Sequence, residues 1–155
     1  MEIRFAEEKD LSGINSLLYQ VLEVHHKGRP DLFFGGVKKY TDEEILEILK
    51  NDQTPVFVAV EDEKVLGYAF CIFTEVKGSH ILKEIKTLYL DDLCVDEACR
   101  GKHVGKALYE RVYAFAKEST CYNLTLNVWS CNESAMKFYE KMGLVPQKTV
   151  LEQIL

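Results

Sequence analysis

One stretch of the chain, Leu93 to Leu108 (LCVDEACRGKHVGKAL), constrains the fold more than any other. An apolar strand pattern ends at Val95, a short charged connection follows, and a helical pattern begins near Val104. The connection carries basic or imidazole side chains and two glycines: Arg100, Gly101, Lys102, His103, Gly105 and Lys106. A helix start presents unpaired backbone N–H groups, and glycine lets that backbone approach an anion closely. We therefore expect a strand–loop–helix unit that can bind a pyrophosphate.

Two other kinds of phosphate loop do not fit this spacing. A P-loop needs G-x-x-x-x-G-K-[ST], but Gly101 and Gly105 are one residue too close. Ala107 also stands where a serine or threonine would bind magnesium. The dinucleotide fingerprint G-x-G-x-x-G does not occur. Taken alone, the segment leaves one alternative open, a solvated basic cluster before an ordinary helix.

Hydrophobic periodicity and turn residues divide the rest of the chain into alternating elements. The pattern predicts strands at 3–6, 56–60, 65–76, 88–95 and 124–128, and helices at 11–28, 42–49, 104–117 and 132–142. Asp10 is expected to cap the first helix, and Thr41 with Glu44 has the form of a capping box. Residues 29–40 read as an irregular loop, and residues 145–155 are expected to return to the sheet. This order predicts an α/β layered domain with a mixed sheet.

Composition excludes several classes of protein. A chain of 155 residues with 47% hydrophobic and 28% charged residues is typical of one globular domain. The net charge of −6 disfavours a nucleic-acid partner, and no apolar run approaches the length of a membrane span. The cysteine count is odd and no C-x-x-C pair occurs, so we expect no disulfide framework and no metal site. Free thiols and the absence of a signal-peptide pattern predict a cytoplasmic protein.

Two motifs in the correct order resemble the Gcn5-related N-acetyltransferases (GNAT). The segment after Val95 is similar to the family's motif A, [QR]-x-x-G-x-[GA], with His103 where the family usually has its first glycine. A second block, N-x-x-A-x-x-F-Y-x-K-x-G, begins at Asn132 and is similar to motif B. The resemblance covers residues 56–145 well and the N-terminal part in layout only. It implies a single GNAT-like α/β domain over residues 1–155, with a central mixed, mostly antiparallel sheet, two splayed parallel strands and flanking helices.

The resemblance also implies the cosubstrate acetyl-CoA and its position. The molecule would lie where strands 88–95 and 124–128 splay apart. Backbone groups of the first strand would pair with the pantetheine arm, and amides of the basic loop would hold the pyrophosphate. Asn132 is expected to cap its helix and to add a contact with the cofactor. The cofactor-binding residues implied in this way are Leu93, Cys94, Val95, Arg100, Gly101, Lys102, His103, Val104, Gly105, Lys106 and Asn132.

The reaction that the family carries out is the attack of a neutral amine on a thioester. It needs an acid for the leaving sulfur and a route for the amine proton. Tyr139 matches the family tyrosine that faces the sulfur, although its spacing alone fits an apolar helical stripe. Asp92 is the candidate base, and a purely structural role for it stays open.

Three neighbouring polar residues bear on the choice of base. Asp91 is expected to point to the opposite face of the strand from Asp92. Glu84 is a further candidate, as is water. Asn127 stands where some family members carry a glutamate, and an amide cannot serve as that base.

The acceptor amine is the least constrained part of the hypothesis. By analogy with the family, Phe33, Phe34 and Trp129 are expected to line its site, with Tyr40 beside them, although a core role for Trp129 is equally open. A small molecule such as a polyamine, amino sugar or amino acid is the leading acceptor. A protein N-terminus or lysine is the alternative, as is a non-catalytic acetyl-CoA-binding module. The apolar stretch Thr149–Leu155 and the habit of the family lead us to expect a homodimer.

Overall fold

The computed structural model describes residues 1–155 as five strands and four α-helices. The elements are β1 (Glu2–Phe5), α1 (Leu11–Gly28), α2 (Asp42–Leu49), β2 (Val56–Glu61), β3 (Lys64–Glu75), β4 (Lys86–Val95), α3 (Val104–Glu118), β5 (Asn123–Leu126) and α4 (Glu133–Lys141). All elements predicted before residue 145 are present, with ends shifted by a few residues at most. None of the helices is long and apolar enough to cross a bilayer.

The strands form one sheet in chain order, β1-β2-β3-β4-β5. Each neighbouring pair is antiparallel except β4 and β5, which run parallel. The predicted mixed, mostly antiparallel sheet is therefore confirmed. The tight turn between β2 and β3 uses Asp62 and Glu63, both with positive φ, at 48° and 62°. Left-handed backbone at both positions matches the twist of the hairpin.

Helices cover both faces of the sheet, and side-chain alternation along the strands explains why. Along β2, Val56 and Val58 pack with the helices α1 and α2, whereas Phe57 and Ala59 pack with α3. The face toward α1 and α2 buries Ile14, Leu17, Leu18, Ile45, Val56, Val58, Tyr68, Phe70 and Cys94. The opposite face buries Phe57, Ala59, Ala69, Leu88, Leu90, Val104, Leu108 and Val112. The strand β4 contributes to both clusters, so both layers hold it in place.

The two parallel strands separate after a short paired stretch. Residues Thr87–Leu90 of β4 pair with Asn123–Leu126 of β5. The strand β4 then continues to Val95, while β5 ends, so the edge of Asp91–Val95 that faces away from β3 has no strand partner. An open strand edge presents backbone N–H and C=O groups that an extended ligand can pair with. This is the gap predicted between the splayed strands.

The helix starts confirm one predicted cap and correct another. The Thr41 hydroxyl accepts a hydrogen bond from the Glu44 amide (3.2 Å), and the Glu44 carboxylate accepts one from the Thr41 amide (2.8 Å). The predicted capping box of α2 is therefore present. Asp10 does not cap α1. Its backbone is already helical, so its carboxylate turns back to the Glu7 amide (2.8 Å) and the Arg4 guanidinium (2.8 Å).

The expectation that residues 145–155 form a strand is wrong. The segment forms neither helix nor strand, and no backbone hydrogen bond joins it to the rest of the chain. The chain turns at Gly143, which has φ of 90°, and leaves α4 without running along β5. The apolar pattern of this segment indicated a need for burial, but the pattern does not specify which surface supplies it.

Candidate active site

The loop between β4 and α3 exposes unpaired backbone donors. Gly101 and His103 both have left-handed backbone, with φ of 81° and 63°. The first helical hydrogen bond of α3 runs from the Ala107 amide to the His103 carbonyl (3.0 Å). The amides of residues 103–106 donate no hydrogen bond within the protein. Four N–H groups at the start of a fifteen-residue helix, with its positive dipole end, form an anion-binding site.

Basic side chains surround these amides and are free to reorient. Arg100, Lys102 and Lys106 are all exposed. Arg100 lies 3.7 Å from Glu97, and Lys106 lies 3.7 Å from Glu110. Exposed ion pairs of this kind contribute about 0–1 kcal/mol, so they hold these side chains only weakly. A pyrophosphate at the helix start would compete with both carboxylates for them.

Gly105 connects the anion site to the gap between the strands. A Cβ built on Gly105 would meet Val95 at 3.5 Å and Phe138 at 3.6 Å, which is ordinary van der Waals contact. The first turn of α3 therefore lies directly against the end of β4 and against α4. The open edge of β4 and the unpaired amides of α3 follow one another, which fits the extended arm and the pyrophosphate of acetyl-CoA.

Tyr139 lies on α4, whose start is fixed by Asn132. The Asn132 side-chain oxygen accepts a hydrogen bond from the Ala135 amide (3.2 Å), which confirms the predicted cap. The Tyr139 ring packs against Phe138, with 5.1 Å between ring centroids. Its hydroxyl makes no hydrogen bond in the protein, and because no fully buried polar side-chain atom lacks a partner, this hydroxyl keeps some contact with solvent. Burial raises the pKa of Tyr139, and the charge of Asp92 raises it further, so the phenol is protonated at neutral pH.

Asp92 lies on the open part of β4 and has an altered pKa. Its carboxylate accepts a hydrogen bond from the Tyr68 hydroxyl (2.9 Å). Burial raises the pKa of Asp92 to about 6, although the Tyr68 bond and the charge of Lys39 oppose that rise. A carboxylate with a pKa of about 6 is mostly ionised at neutral pH and is a stronger base than an ordinary aspartate.

Asp91 and Asp92 do not point to opposite faces of the sheet, contrary to the expectation from alternation. The pairing of β3 with β4 contains a β-bulge, where Phe70 pairs with Asp92 but Cys71 pairs with Leu90. Asp91 is the extra residue, and its carboxylate accepts a hydrogen bond from the Tyr40 hydroxyl (2.6 Å). The bulge shifts the alternation by one residue, so both carboxylates lie on the side of α1 and α2.

The loop of residues 29–40 approaches the end of β5. The Phe33 ring contacts Trp129 (centroids 5.2 Å apart) and His25 (5.1 Å). The structure therefore brings two of the three predicted acceptor residues together. The third, Phe34, is 84% exposed and contacts no other aromatic ring. At the far end of the loop, Lys39 lies 2.7 Å from Asp91 and anchors the loop to β4.

Two tyrosines around the site were not singled out from the sequence. Tyr68 is one, although a tyrosine within an apolar strand usually needs a partner for its hydroxyl. Tyr89 is another, and its hydroxyl accepts a hydrogen bond from the Asn127 amide (3.2 Å).

Two residues that the sequence analysis named also have defined places. Cys94 was implied through its backbone, and its thiol is buried and donates to the Leu17 carbonyl (3.5 Å). Glu84 is exposed in the loop before β4, close to the Gly78 amide.

Comparison with known proteins identifies relatives by sequence. The acetyltransferase (GNAT) family profile matches residues 18–144. The chain is 28% identical over 107 residues to glucosamine 6-phosphate N-acetyltransferase 1 of Dictyostelium discoideum, covering 66% of each protein. It is 38% identical over 56 residues to a probable glucosamine 6-phosphate N-acetyltransferase of Drosophila melanogaster, covering 36% of this chain and 24% of that protein. The matches therefore span two thirds or less of these relatives.

Solved structures show the same fold. A mutant of the BH1408 protein from Bacillus halodurans is 29% identical to this chain. The two superpose with a TM-score of 0.96 over 100% of this chain and 99% of that one. Aminoglycoside N-acetyltransferase AAC(6')-Iy in complex with CoA is 18% identical, with a TM-score of 0.73 over 99% of this chain and 98% of that one. The family profile covers most of the chain, and the sheet, the open β4 edge and the α3 amides agree with it. The chain belongs to the GNAT acetyltransferase family.

Proposed function

We propose that this protein is an acetyl-CoA-dependent N-acetyltransferase that acetylates a primary amine, with a small molecule such as a polyamine, amino sugar or amino acid as acceptor. The observation that carries the proposal is the row of unpaired amides at the start of α3, which adjoins the open edge of β4. The relatives named as glucosamine 6-phosphate N-acetyltransferases support transfer to an amine. The cytoplasm stays the location we propose, because an odd number of cysteines suits a reducing compartment.

The backbone supplies most of the binding in this proposal. The amides of residues 103–106 would hold the pyrophosphate, and the open edge of Leu93–Val95 would pair with the pantetheine arm. Arg100 and Lys102 would add charge at the surface. Because backbone groups do most of this, histidine at position 103 is acceptable where the family usually has glycine. When bound, acetyl-CoA supplies the thioester that the amine attacks.

Tyr139 would act as the acid. Its ring is held by Phe138 and the core, while its hydroxyl has no partner in the protein and is not fully buried. The raised pKa keeps the proton on this oxygen at neutral pH. A positioned hydroxyl of this kind can protonate the departing sulfur as the amine attacks.

Asp92 would accept the amine proton, directly or through water. The Tyr68 hydroxyl fixes the orientation of the carboxylate, and burial raises its pKa to about 6. The neighbouring Asp91 is already bound by Lys39 and Tyr40, so it has less freedom to take part. Asp92 is therefore the better candidate of the two carboxylates.

The acceptor would enter between the loop of residues 29–40 and the end of β5. Phe33 and Trp129 meet there, and Asp91 and Asp92 lie on the same side of the sheet. Aromatic rings and carboxylates each favour a cationic amine. Phe34 is exposed, so in this proposal it lies only at the surface, at the entrance to the acceptor site.

The test is a thiol-release assay with acetyl-CoA over a panel of polyamines, amino sugars, amino acids and peptides with free N-termini or lysines. We expect rapid release of CoA with at least one small amine and slow release with the peptides. Faster turnover of a peptide would favour the protein acceptor instead. Binding of acetyl-CoA without release over the whole panel would favour a non-catalytic binding module and would contradict the proposal.

A further inference from the structure

We propose that the protein acetylates its own Lys39, and that this modification releases the loop of residues 29–40 from the sheet. The inference rests on the proposed function, because acetyl-CoA supplies the acetyl group. The Lys39 side chain ends in a primary amine, which is the group that the proposed reaction consumes. Its ammonium nitrogen lies 2.7 Å from the carboxylate of Asp91, the residue next to the candidate base Asp92. An internal amine therefore lies beside the proposed acceptor site.

The position of Lys39 is fixed by its neighbour Tyr40. The Tyr40 hydroxyl donates a hydrogen bond to the same Asp91 oxygen (2.6 Å), and its ring stacks on Phe70, with 5.5 Å between centroids. The Lys39 side chain itself is 40% exposed, and an ion pair at that exposure is weak. The backbone is therefore held at the carboxylates, while the amine is free to leave Asp91 and turn toward a neighbouring group.

The proposed course of the cofactor brings its thioester to the same place. The pyrophosphate would lie at the amides of residues 103–106, and the pantetheine arm along the open edge of Leu93–Val95. Since β4 ends just before that loop, the arm leads from the loop back along the strand toward Asp91 and Asp92. The thioester end of the molecule therefore faces the two carboxylates, one of which binds the internal amine.

Electrostatic effects also connect the internal amine with the candidate base and acid. Burial raises the pKa of Asp92 to about 6, although the Tyr68 bond and the charge of Lys39 oppose that rise. Burial also raises the pKa of Tyr139, and the charge of Asp92 raises it further. Charges shift one another's pKa chiefly over short distances. The three groups therefore lie close together.

The transfer balances without any further reactant. The Lys39 ammonium gives one proton to Asp92, directly or through water, and becomes a neutral amine. Its nitrogen attacks the thioester carbonyl carbon, so that a C–N bond forms and the C–S bond breaks. The departing sulfur takes the proton of Tyr139, and the second proton that the nitrogen loses returns to the Tyr139 oxygen through water. The products are N-acetyl-lysine, CoA and one proton, which Asp92 releases to solvent.

Acetylation would remove the anchor between the loop and β4. N-acetyl-lysine carries no charge, so its ion pair with Asp91 would be lost. The Asp91 carboxylate would then face the acceptor site without a cation bound to it. A free carboxylate attracts a cationic amine, so the modified protein should have a lower KM for the acceptor.

Lys38 and Lys77 are the matched controls within the chain. The Lys38 ammonium bonds to the Asn15 side chain (2.6 Å) and pairs with Asp42, on the helices α1 and α2 rather than on β4. Lys77 is 76% exposed, so it reports chemical acetylation by free acetyl-CoA. The proposed route marks Lys39 and leaves both controls unmodified, whereas chemical acetylation follows exposure.

The first experiment incubates the purified chain with acetyl-CoA and no amine, and locates acetyl groups by peptide mass spectrometry. We expect one acetyl group per chain, at Lys39, with a first-order rate that does not change with protein concentration. An excess of a working amine should slow the labelling. Asp92→Asn should slow labelling of Lys39 by roughly 100-fold without changing the background at Lys77. Lys39→Arg keeps the charge beside Asp91 and should gain no acetyl group at this position.

The second experiment compares the protein before and after labelling. Hydrogen exchange of the amides in 29–40 should become faster, and KM for a working amine should fall by about 5-fold. Unchanged exchange in the labelled protein would overturn the release of the loop.

Three results of the first experiment would overturn self-acetylation: equal labelling of Lys39 in Asp92→Asn, labelling that follows exposure, or a rate that rises with protein concentration. Release of CoA with an added amine while Lys39 stays unmodified would also overturn it, and would leave the proposed function intact. Absence of release with every amine would instead overturn the proposed function.

Discussion

The Tyr68 hydroxyl donates a hydrogen bond of 2.9 Å to the Asp92 carboxylate, and so joins the middle strand of the sheet to the strand beside the cofactor gap. The Tyr68 side chain is fully buried, so its oxygen has no other route to a partner. The bond fixes one side of the carboxylate, while burial raises the pKa of Asp92 to about 6. We therefore expect Asp92 to affect both the stability of the fold and the rate of the proposed reaction.

The first prediction concerns stability. A raised folded-state pKa means that Asp92 stabilises the fold while protonated, and this contribution is lost as pH rises from about 4 through about 6. Asp92→Asn has no charge to bury and keeps an acceptor for Tyr68. At about pH 8, the variant should be more stable than the natural chain by roughly 1–3 kcal/mol, with little difference near pH 4.

Denaturant unfolding at the two pH values measures this difference in the free energy of unfolding. Asp91→Asn is the matched control, because it removes a carboxylate that pairs with Lys39 and should lower stability rather than raise it. If Asp92→Asn is destabilised equally at both pH values, the carboxylate is not held in the environment described above.

The second prediction concerns the pH dependence of the rate. If the ionised Asp92 carboxylate accepts the amine proton, kcat/KM should fall as pH drops below about 6. Asp92→Asn should lose this limb of the profile and should be slower by roughly 100- to 10,000-fold. Persistence of the limb in the variant would assign the base to another group or to the amine itself.

The third prediction separates the chemistry of Tyr139 from its packing. Tyr139→Phe keeps the ring that packs on Phe138 and removes only a hydroxyl without a protein partner. Turnover should fall by roughly 10- to 1,000-fold, while the affinity for acetyl-CoA changes little. Tyr109→Phe is a suitable control, because that hydroxyl lies in the same cluster on a different helix. Full activity of Tyr139→Phe would remove Tyr139 as the acid and leave the cofactor site unaffected.

The fourth prediction follows from the backbone of His103. A left-handed conformation costs about 1–2 kcal/mol for an ordinary residue, but glycine adopts it readily. His103→Gly should therefore stabilise the fold by up to about 1 kcal/mol, after the larger chain entropy of unfolded glycine is subtracted. The affinity for acetyl-CoA should stay within a few-fold, since the amide remains in place.

The control for that variant is the neighbouring residue. Lys102 does not have positive φ, so Lys102→Gly should only lower stability. Thermal unfolding of both variants measures the contrast. A loss of stability in His103→Gly that equals the loss in Lys102→Gly would mean that the imidazole makes up for the backbone strain.

Local patterns predicted the loop, the helix start and the cap that lie around the candidate site. The basic loop, the start of α3 and the cap at Asn132 depend on residues close together in the chain, so their spacing is informative. Pairing between strands is different. The bulge that brings Asp91 and Asp92 to one face depends on the register with β3, which alternation along β4 does not reveal.

The prediction for the C-terminal segment was wrong for a related reason. Its apolar residues after Gly143 led us to expect a return to the sheet, and the structure leaves the segment outside it. A pattern of apolar residues indicates that a segment needs to be buried, but it does not identify the surface that buries it. Tyr68 shows the same limit, because its need for a partner is visible in the sequence but Asp92 as that partner is not.

The cofactor site itself can be altered in ways that leave the fold intact. Gly105→Ala should bind acetyl-CoA, because its Cβ has room against Val95 and Phe138. Gly105→Glu should weaken binding by at least about 100-fold, through bulk and a like charge beside the phosphates. Lys102→Glu, an exposed charge reversal, should weaken it by about 10-fold. Lys117→Glu, at the other end of α3, is the matched charge reversal and should have no effect.

Calorimetric titration of the intact chain with acetyl-CoA, beside these variants, is the most direct test of the central claim. The account predicts one site per chain, with affinity reduced in the order Gly105→Ala, Lys102→Glu, Gly105→Glu and unchanged in Lys117→Glu. Circular dichroism confirms that each variant is folded. The account would be contradicted if the intact chain did not bind acetyl-CoA. It would also be contradicted if Gly105→Glu and Lys102→Glu were folded and bound acetyl-CoA as tightly as the intact chain does.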